Sequence, residues 1–479
     1  SPGKGEAKVL SLSGGLTEAA KSGLIKDLKE GKVNNFKKRL VHPPRLLALS
    51  FLAAIIVGTI ILSLPFSTRN GHIPLIDALF TSTSAICVTG LIVVDTPNYF
   101  SPFGLGVLLA LIQLGGLGIM TFSSFILMTA GRRVSLSDKL VVEGSFRPAA
   151  ISDFRALLRD VFLFTFSLEL LGVLALLFRF SEQASWPRAL TLSVFHSVSA
   201  FCNAGFSLFS DNLMGFRGDT LVNLTMIFLI VFGGLGFFVL QEIKLALRNS
   251  LQKERIRFSL HTKFVAAITL GIILLGAVLL FLMEFNRGFS GLPLKEKILA
   301  SIFHVVSART AGFNTVDLNS LSVASLLLII LIMFIGASPG SSGGGVKTTT
   351  FGIIFAFLRS RIHGHEVPQI FSRGIKNDDI IKAYTLISLA MSLIFASTIS
   401  LLIIQPQLVL KEALFEVVSA FGTVGLSLGV TPNLHPLNKL ILVITMYLGR
   451  IGPLTMLYAF SRVKPAGHYQ FIEESIMVG

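Results

Sequence analysis

SAFGTVGLSLG, Ser419 to Gly429, carries three glycines and no charge between two long apolar runs. Glycine is the residue most damaging to a helix interior after proline, so this stretch interrupts an apolar chain for a reason. The chain contains it four times. The copies read FTSTSAICVTGLIVVDT from Phe80, FHSVSAFCNAGFSLFSDN from Phe195, FHVVSARTAGFNTVDLN from Phe303 and FEVVSAFGTVGLSLGVT from Phe415. Each runs Phe, then Ser-Ala, then a tripeptide of mostly small or polar residues, then Gly and an apolar residue. The shared glycines are Gly90, Gly205, Gly312 and Gly425, spaced by 115, 107 and 113 residues. The third copy is one residue shorter between its Ser-Ala and its glycine.

The background is apolar. Of 479 residues, 52% are hydrophobic and 14% charged, against about 25% charged in soluble domains, and the mean hydropathy is +0.76. That places the chain among membrane proteins. A net charge of +15 would suggest nucleic acid in a soluble protein; here it reads as topology, because Lys and Arg collect in cytoplasmic loops.

Apolar runs at roughly 45–66, 104–128, 157–179, 220–243, 263–283, 321–357, 381–404 and 438–460 are long enough for spans of about 20 residues. The four short segments fall between runs one and two, three and four, five and six, and seven and eight. The expected fold is an all-α polytopic membrane protein of four helix–re-entrant loop–helix repeats in pseudo-fourfold arrangement around a central pore. The repeats are placed at 44–130, 155–245, 260–358 and 380–462, with a basic tail at 1–43 and a C-terminal tail at 463–479. Basic clusters such as Arg132, Arg133 and Lys139, Lys244 and Arg248, and Arg359 and Arg361 follow runs two, four and six. Both termini are therefore expected in the cytoplasm of a bacterial inner membrane, with the short segments entering from outside.

Non-helical backbone at membrane depth survives only when protein buries it or when it lines a wet cavity. Four equivalent segments meeting on one axis give the second arrangement, and rings of carbonyls can replace the hydration shell of a cation. The candidate filter is Cys87, Val88, Thr89 and Gly90; Cys202, Asn203, Ala204 and Gly205; Thr310, Ala311 and Gly312; and Gly422, Thr423, Val424 and Gly425. Glycine supplies the positive φ that aims successive carbonyls one way. Arg309 reads as a support behind the filter, bonded to carbonyls or an acid. His196 and His304, each alone after an aligned phenylalanine, read as packing or hydrogen-bonding residues. The cysteines read as small fillers.

The sixth run contains GASPGSSGGGVKTTT, through which no α-helix persists. Two half-helices joined by an intramembrane loop are expected. The candidate gate is Gly336, Ala337, Ser338, Pro339, Gly340, Ser341, Ser342, Gly343, Gly344, Gly345 and Lys347, with Arg450 in the eighth run as its holder. A charge inside a span is expensive and marks function by default. Glu169 in the third run is a second such charge.

On DALFTSTSAICVTGLIVVDT, FHSVSAFCNAGFSLFSDNLM, SARTAGFNTVDL, GGGVKTTT and GRIGPLT, the chain resembles the Trk/Ktr/HKT superfamily of cation transporters from about Pro43 onward, and its Ktr branch most. The resemblance implies potassium uptake, homodimerisation and a cytoplasmic KtrA-type nucleotide-binding ring that controls gating. It also implies sodium as an activator, for which no ligands are readable, and contact with membrane lipid but no nucleic acid. Plant relatives that move sodium replace the first filter glycine by serine; Gly90 is glycine. Pro339 departs from the small-residue pattern of the family loop. An alternating-access transporter would show inverted repeats, whereas these four share one orientation. An enzyme would need a nucleophile, acid pair or metal cluster; no HExxH, GxSxG or Walker A pattern occurs.

Overall fold

The computed structural model describes residues 43–118, 154–251, 258–364, 368–371 and 373–460. The basic tail before residue 43, the end of the first repeat to residue 130, most of the basic loop after it and the C-terminal tail lie outside the described residues. The first unit consists of α1 (Pro43–Leu62), α2 (Leu75–Ile86) and α3 (Pro102–Leu117). The second has α4 (Phe154–Phe180), α5 (Trp186–Phe201), α6 (Thr220–Leu235) and α7 (Phe237–Leu251). The third has α8 (Leu260–Glu284), α9 (Leu294–Ser307), α10 (Val323–Phe334) and α11 (Thr348–Ile362). The fourth has α12 (Asn377–Ile404), α13 (Leu410–Gly422), α14 (Pro436–Ile451) and α15 (Pro453–Phe460). A two-stranded antiparallel pair, Gln369–Ile370 with Arg373–Gly374, is the β structure among the described residues.

Local chemistry sets these boundaries. Prolines stand at the starts of the short helices α2, α5 and α9, where a missing N–H costs nothing. The helices after the motifs are capped by side chains. Ser101 accepts from Gly104 N, Asp219 from Val222 N, Ser322 from Ser325 N and His435 from Leu437 N. Each cap satisfies one of the orphan N–H groups of a first turn. Asp219 is held below the usual carboxylate range: burial pushes it up, but the Val222 N–H and the Arg179 guanidinium outweigh that.

The units close on one another in a cycle. Helix α3 packs on α5 of the next unit, α6 on α9, α10 on α13, and α14 back on α2. Polar contacts follow the same order. Asn98 bonds Ser210 at 3.1 Å, Arg217 pairs with Glu296 at 2.7 Å, Asn319 donates to the Leu428 carbonyl at 3.3 Å, and Lys439 pairs with Asp77 at 2.7 Å. The motif phenylalanines Phe80, Phe195, Phe303 and Phe415 are buried in the shared core. The long helices expose apolar stripes outward, such as Phe166, Leu170 and Leu174 on α4 or Leu270, Leu274 and Val278 on α8. A bilayer, not water, suits that surface.

The expected spans need correction. Among the described residues, Arg159–Phe180, Leu260–Glu284 and Asn377–Ile404 are long and apolar enough to cross a bilayer unaided, and the α6–α7 pair qualifies only as a bent unit. Helices α3, α6 and α14 stop after 16 residues, about 24 Å, short of a hydrocarbon core of about 30 Å. The fourth run bends by 104° at Gly236 (φ 91°), and the eighth breaks at Gly452 (φ 90°). The sequence reading places one clear break, in the sixth run; breaks occur in the fourth and eighth as well.

Candidate functional site

Each short helix delivers its motif to one point. Cys87 and Cys202 cap α2 and α5 in right-handed geometry, and Gly422 is the last residue of α13. The chain then reverses hand. Val88, Asn203, Thr310 and Thr423, each two residues before a shared glycine, have φ of 55°, 59°, 75° and 49°. A non-glycine residue in this region costs of order 1–3 kcal/mol and persists only where its surroundings over-determine it. Four such residues at one motif position make the conformation a designed feature. The glycines follow with φ of 89°, 72°, 77° and 92°.

The four glycines touch in a closed ring. A methyl group on Gly90 would lie 2.4 Å from the Ala204 carbonyl oxygen; on Gly205, 2.8 Å from that of Ala311; on Gly312, 2.5 Å from that of Val424; and on Gly425, 2.1 Å from that of Thr89. Every glycine therefore faces the carbonyl of the next unit, and the fourth faces the first.

The serine of each Ser-Ala pair supports the strand. Thr89 N and Gly90 N donate to the Ser84 carbonyl and hydroxyl at 2.7 and 3.0 Å. Val424 N and Gly425 N do the same with Ser419 at 2.8 and 3.1 Å. Ala204 N reaches the Ser199 carbonyl at 2.7 Å and Ala311 N that of Ser307 at 2.8 Å. These N–H groups are thus satisfied from their own helix, and none of the four ring carbonyls accepts a hydrogen bond among the described residues. These serines stand in every motif copy, yet their role was not read from the sequence; their invariance across the four copies was the available signal.

In the second and fourth units the residue after the motif phenylalanine ties down the chain leaving the ring. His196 Nε2 meets Ser207 Oγ at 3.0 Å and receives Leu208 N at 3.3 Å. Glu416 accepts from Leu428 N at 3.2 Å and from Thr431 at 2.7 Å, and from Ser427. His304 Nδ1 lies 2.9 Å from the Ala300 carbonyl. Arg309 is buried and donates to the Thr269 hydroxyl at 3.2 Å, a partner that is neither the carbonyl nor the acid expected of it. Cys202 contacts Gln113 and Glu169 from behind the strand.

The segment between α10 and α11 lies against the base of this ring. Gly336 N donates to Val346 O at 2.8 Å and Thr348 N to Ala337 O at 3.3 Å, closing its neck. Ser338 N and Ser342 N donate to Gly234 O and Gly233 O at 3.1 and 3.2 Å, and the Ser342 hydroxyl reaches Gly233 O at 3.0 Å. Pro339 and Gly340 seat in the α6 bend, where Phe237 N donates to Gly340 O at 3.1 Å and a methyl on Gly236 would strike Pro339 O at 2.4 Å. The departure at Pro339 and the break at Gly236 thus belong together. Ser341 turns back on Ser338 O at 2.6 Å. A methyl on Gly343 would meet Thr310 Oγ1 at 2.2 Å, Gly344 N donates to Thr423 Oγ1 at 2.9 Å, and Gly345 N to Gly449 O at 3.3 Å. The segment therefore bridges units two, three and four. Arg450 adds the first: its guanidinium donates to Ser342 O and to Gly115 O. Lys347 Nζ donates to Gly343 O at 2.7 Å.

Comparisons with known proteins agree with one another. A model of the TrkH cation transport protein family matches residues 47–471. The Ktr system potassium uptake protein B of Bacillus subtilis (strain 168) is 41% identical over 88% of this chain and 94% of its own length. The Ktr system potassium uptake protein B of Vibrio alginolyticus is 36% identical over 91% and 95%, and the potassium/sodium uptake protein NtpJ of Enterococcus hirae 33% over 92% and 98%. The crystal structure of the potassium transporter TrkH from Vibrio parahaemolyticus shares the fold with a TM-score of 0.67 at 20% identity, covering 86% of this chain and 83% of that one.

Proposed function

The chain belongs to the TrkH cation transport protein family, a family of multi-pass membrane transporters rather than enzymes, and from that premise we propose that it is the membrane subunit of a potassium-uptake system. Potassium passes through a pseudo-fourfold pore whose selective ring is the carbonyls of Thr89, Ala204, Ala311 and Val424. The closed contact of Gly90, Gly205, Gly312 and Gly425 with those carbonyls is the observation that carries this reading. Carbonyls already released from internal bonding can replace the ion's hydration shell.

The segment Gly336–Thr350 then acts as the gate. It touches Thr310 and Thr423 of the strands, and its freed carbonyls supply Arg450 with acceptors. The protein works as a homodimer under a KtrA-type nucleotide-binding ring, with both termini cytoplasmic and sodium as activator. Similarity to proteins named for the Ktr system supports the ring; failure to co-purify with a KtrA-type subunit under native conditions would remove it. Passage of sodium itself is the second reading, favoured by similarity to a potassium/sodium uptake protein.

Potassium and sodium flux into proteoliposomes separates these readings. Gly90→Ser puts a Cβ and hydroxyl against Ala204 O, and should lower the potassium preference by about tenfold, the equivalent of one hydrogen bond's worth of discrimination. An unchanged preference would reject the ring as the selective element.

A further inference from the structure

Beside the Gly336–Thr350 segment lies a cavity of about 170 Å³, walled by Lys347, Thr350, Leu386, Phe421 and Arg450 among others. It is smaller than the roughly 300–1,000 Å³ of pockets for drug-sized ligands, and so has room for one compact group. Two cations line it and no carboxylate does. Three further features point to a negative guest. Helix α11 begins here, 15 residues long, with Lys347 at its N-cap and no side-chain cap; Thr348 N is taken by Ala337 O, which leaves the N–H groups of Thr349 and Thr350 and the helix dipole open to an anion. Thr350 is 8% exposed, lines the cavity, and its hydroxyl has no hydrogen-bond partner among the described residues. Arg450 commits Nη1 and Nη2 to Ser342 O and Gly115 O, yet a guanidinium has five N–H donors.

We propose that this cavity binds a phosphate oxyanion, held by Lys347, Thr350, Arg450 and the N-terminus of α11. A tetrahedral phosphate can accept from an ammonium, a guanidinium, a hydroxyl and backbone N–H groups at once, with charge-assisted bonds to the two cations. The source is the headgroup of an anionic lipid or free phosphate. A bound phosphate competes with Ser342 O for Arg450, and so loosens the segment. That last step rests on the gating reading; the site itself does not.

The test reads binding alone, with no ion gradient, so that its failure is distinct from failure of the transport reading. Native mass spectrometry of the purified full chain is run with phosphatidylglycerol, with phosphatidylcholine and with inorganic phosphate. Retention of phosphatidylglycerol over phosphatidylcholine identifies a lipid source, and retention of inorganic phosphate a free one. In either case Thr350→Val and Lys347→Gln should each weaken binding by about tenfold, while Thr350→Ser restores it. On the unaltered chain the same phosphate should protect Lys347 from acylation, a readout that needs no variant to fold. No preference for either phosphate source, or binding indifferent to both substitutions with Lys347 unprotected, overturns the proposal.

Discussion

The ring of glycines and the segment beneath it are both irregular backbone inside an apolar protein, but they are built in opposite ways. The ring is made four times from one motif, with the same two left-handed positions and a serine carbonyl supporting the strand in each unit. The segment is made once. Counted from their helix starts, Gly115, Gly233 and Gly449 are equivalent to Gly336. Gly115, Gly233 and Gly449 would strike Ile86 O, Phe201 O and Phe421 O if given a methyl. Gly336 would instead strike Gly344 O, a carbonyl of its own segment. The third unit has thus inserted its own chain where the others pack directly on a motif helix. Repetition suits a task in which four carbonyls must be alike; a single departure suits one that must obstruct or clear one path.

Within the ring, the units are not equally tight, and this gives the largest expected effect. Gly425→Ala places a Cβ 2.1 Å from backbone at φ 92°, whereas Gly205→Ala meets backbone at 2.8 Å at φ 72°. Backbone cannot swing aside as a side chain can. Potassium flux in proteoliposomes should fall at least about a hundredfold for Gly425→Ala and distinctly less for Gly205→Ala, given strain of a few kcal/mol at such positions. Equal losses would show that the ring tolerates contact and that something other than geometry limits flux.

The segment should respond in the opposite direction. Arg450→Ala removes donors from Ser342 O and Gly115 O, and charge-assisted bonds contribute about 1.5–3 kcal/mol each. Basal flux should rise by about tenfold or more, with the potassium preference kept. A fall in flux from a correctly folded variant would reverse the assigned role.

The seams between units give the smallest effect and sharpen the claim that the cycle is closed. Lys439–Asp77, 10% and 13% exposed, joins the fourth unit to the first, and Arg217–Glu296, 37% and 22% exposed, joins the second to the third. Removing one partner of a largely buried pair costs several times more than breaking an exposed one, which is worth about 0–1 kcal/mol. Thermal unfolding in detergent should come several degrees earlier for Lys439→Met and scarcely change for Arg217→Met. The reverse order would place the weak seam elsewhere.

Much of this was legible in the sequence because it was repeated. Four copies exposed the strands, their glycines and the helices around them, and SPGSSGGG could not be helical. Arg450 was legible because a charge in an apolar run is rare. What stayed hidden depends on tertiary partners. In GGLG, Gly236 reads as a glycine that permits either close helix packing or bending, and which of the two it does shows only with Pro339 seated against it. Glu416 and His196 do one job with different chemistry, so composition did not link them. The short length of α3, α6 and α14 was masked by continuous hydropathy across the glycine breaks, since periodicity and apolarity carry no sign of φ.

The division of labour itself can be tested in a single preparation. Proteoliposomes carrying the chain with Ser341–Gly344 removed are compared with the intact protein for potassium and sodium flux measured side by side. If the ring chooses the ion and the segment only obstructs, potassium flux rises about tenfold or more while its ratio to sodium flux stays as in the intact protein. A ratio that collapses as flux rises, or flux unchanged in a folded and inserted protein, would contradict the account.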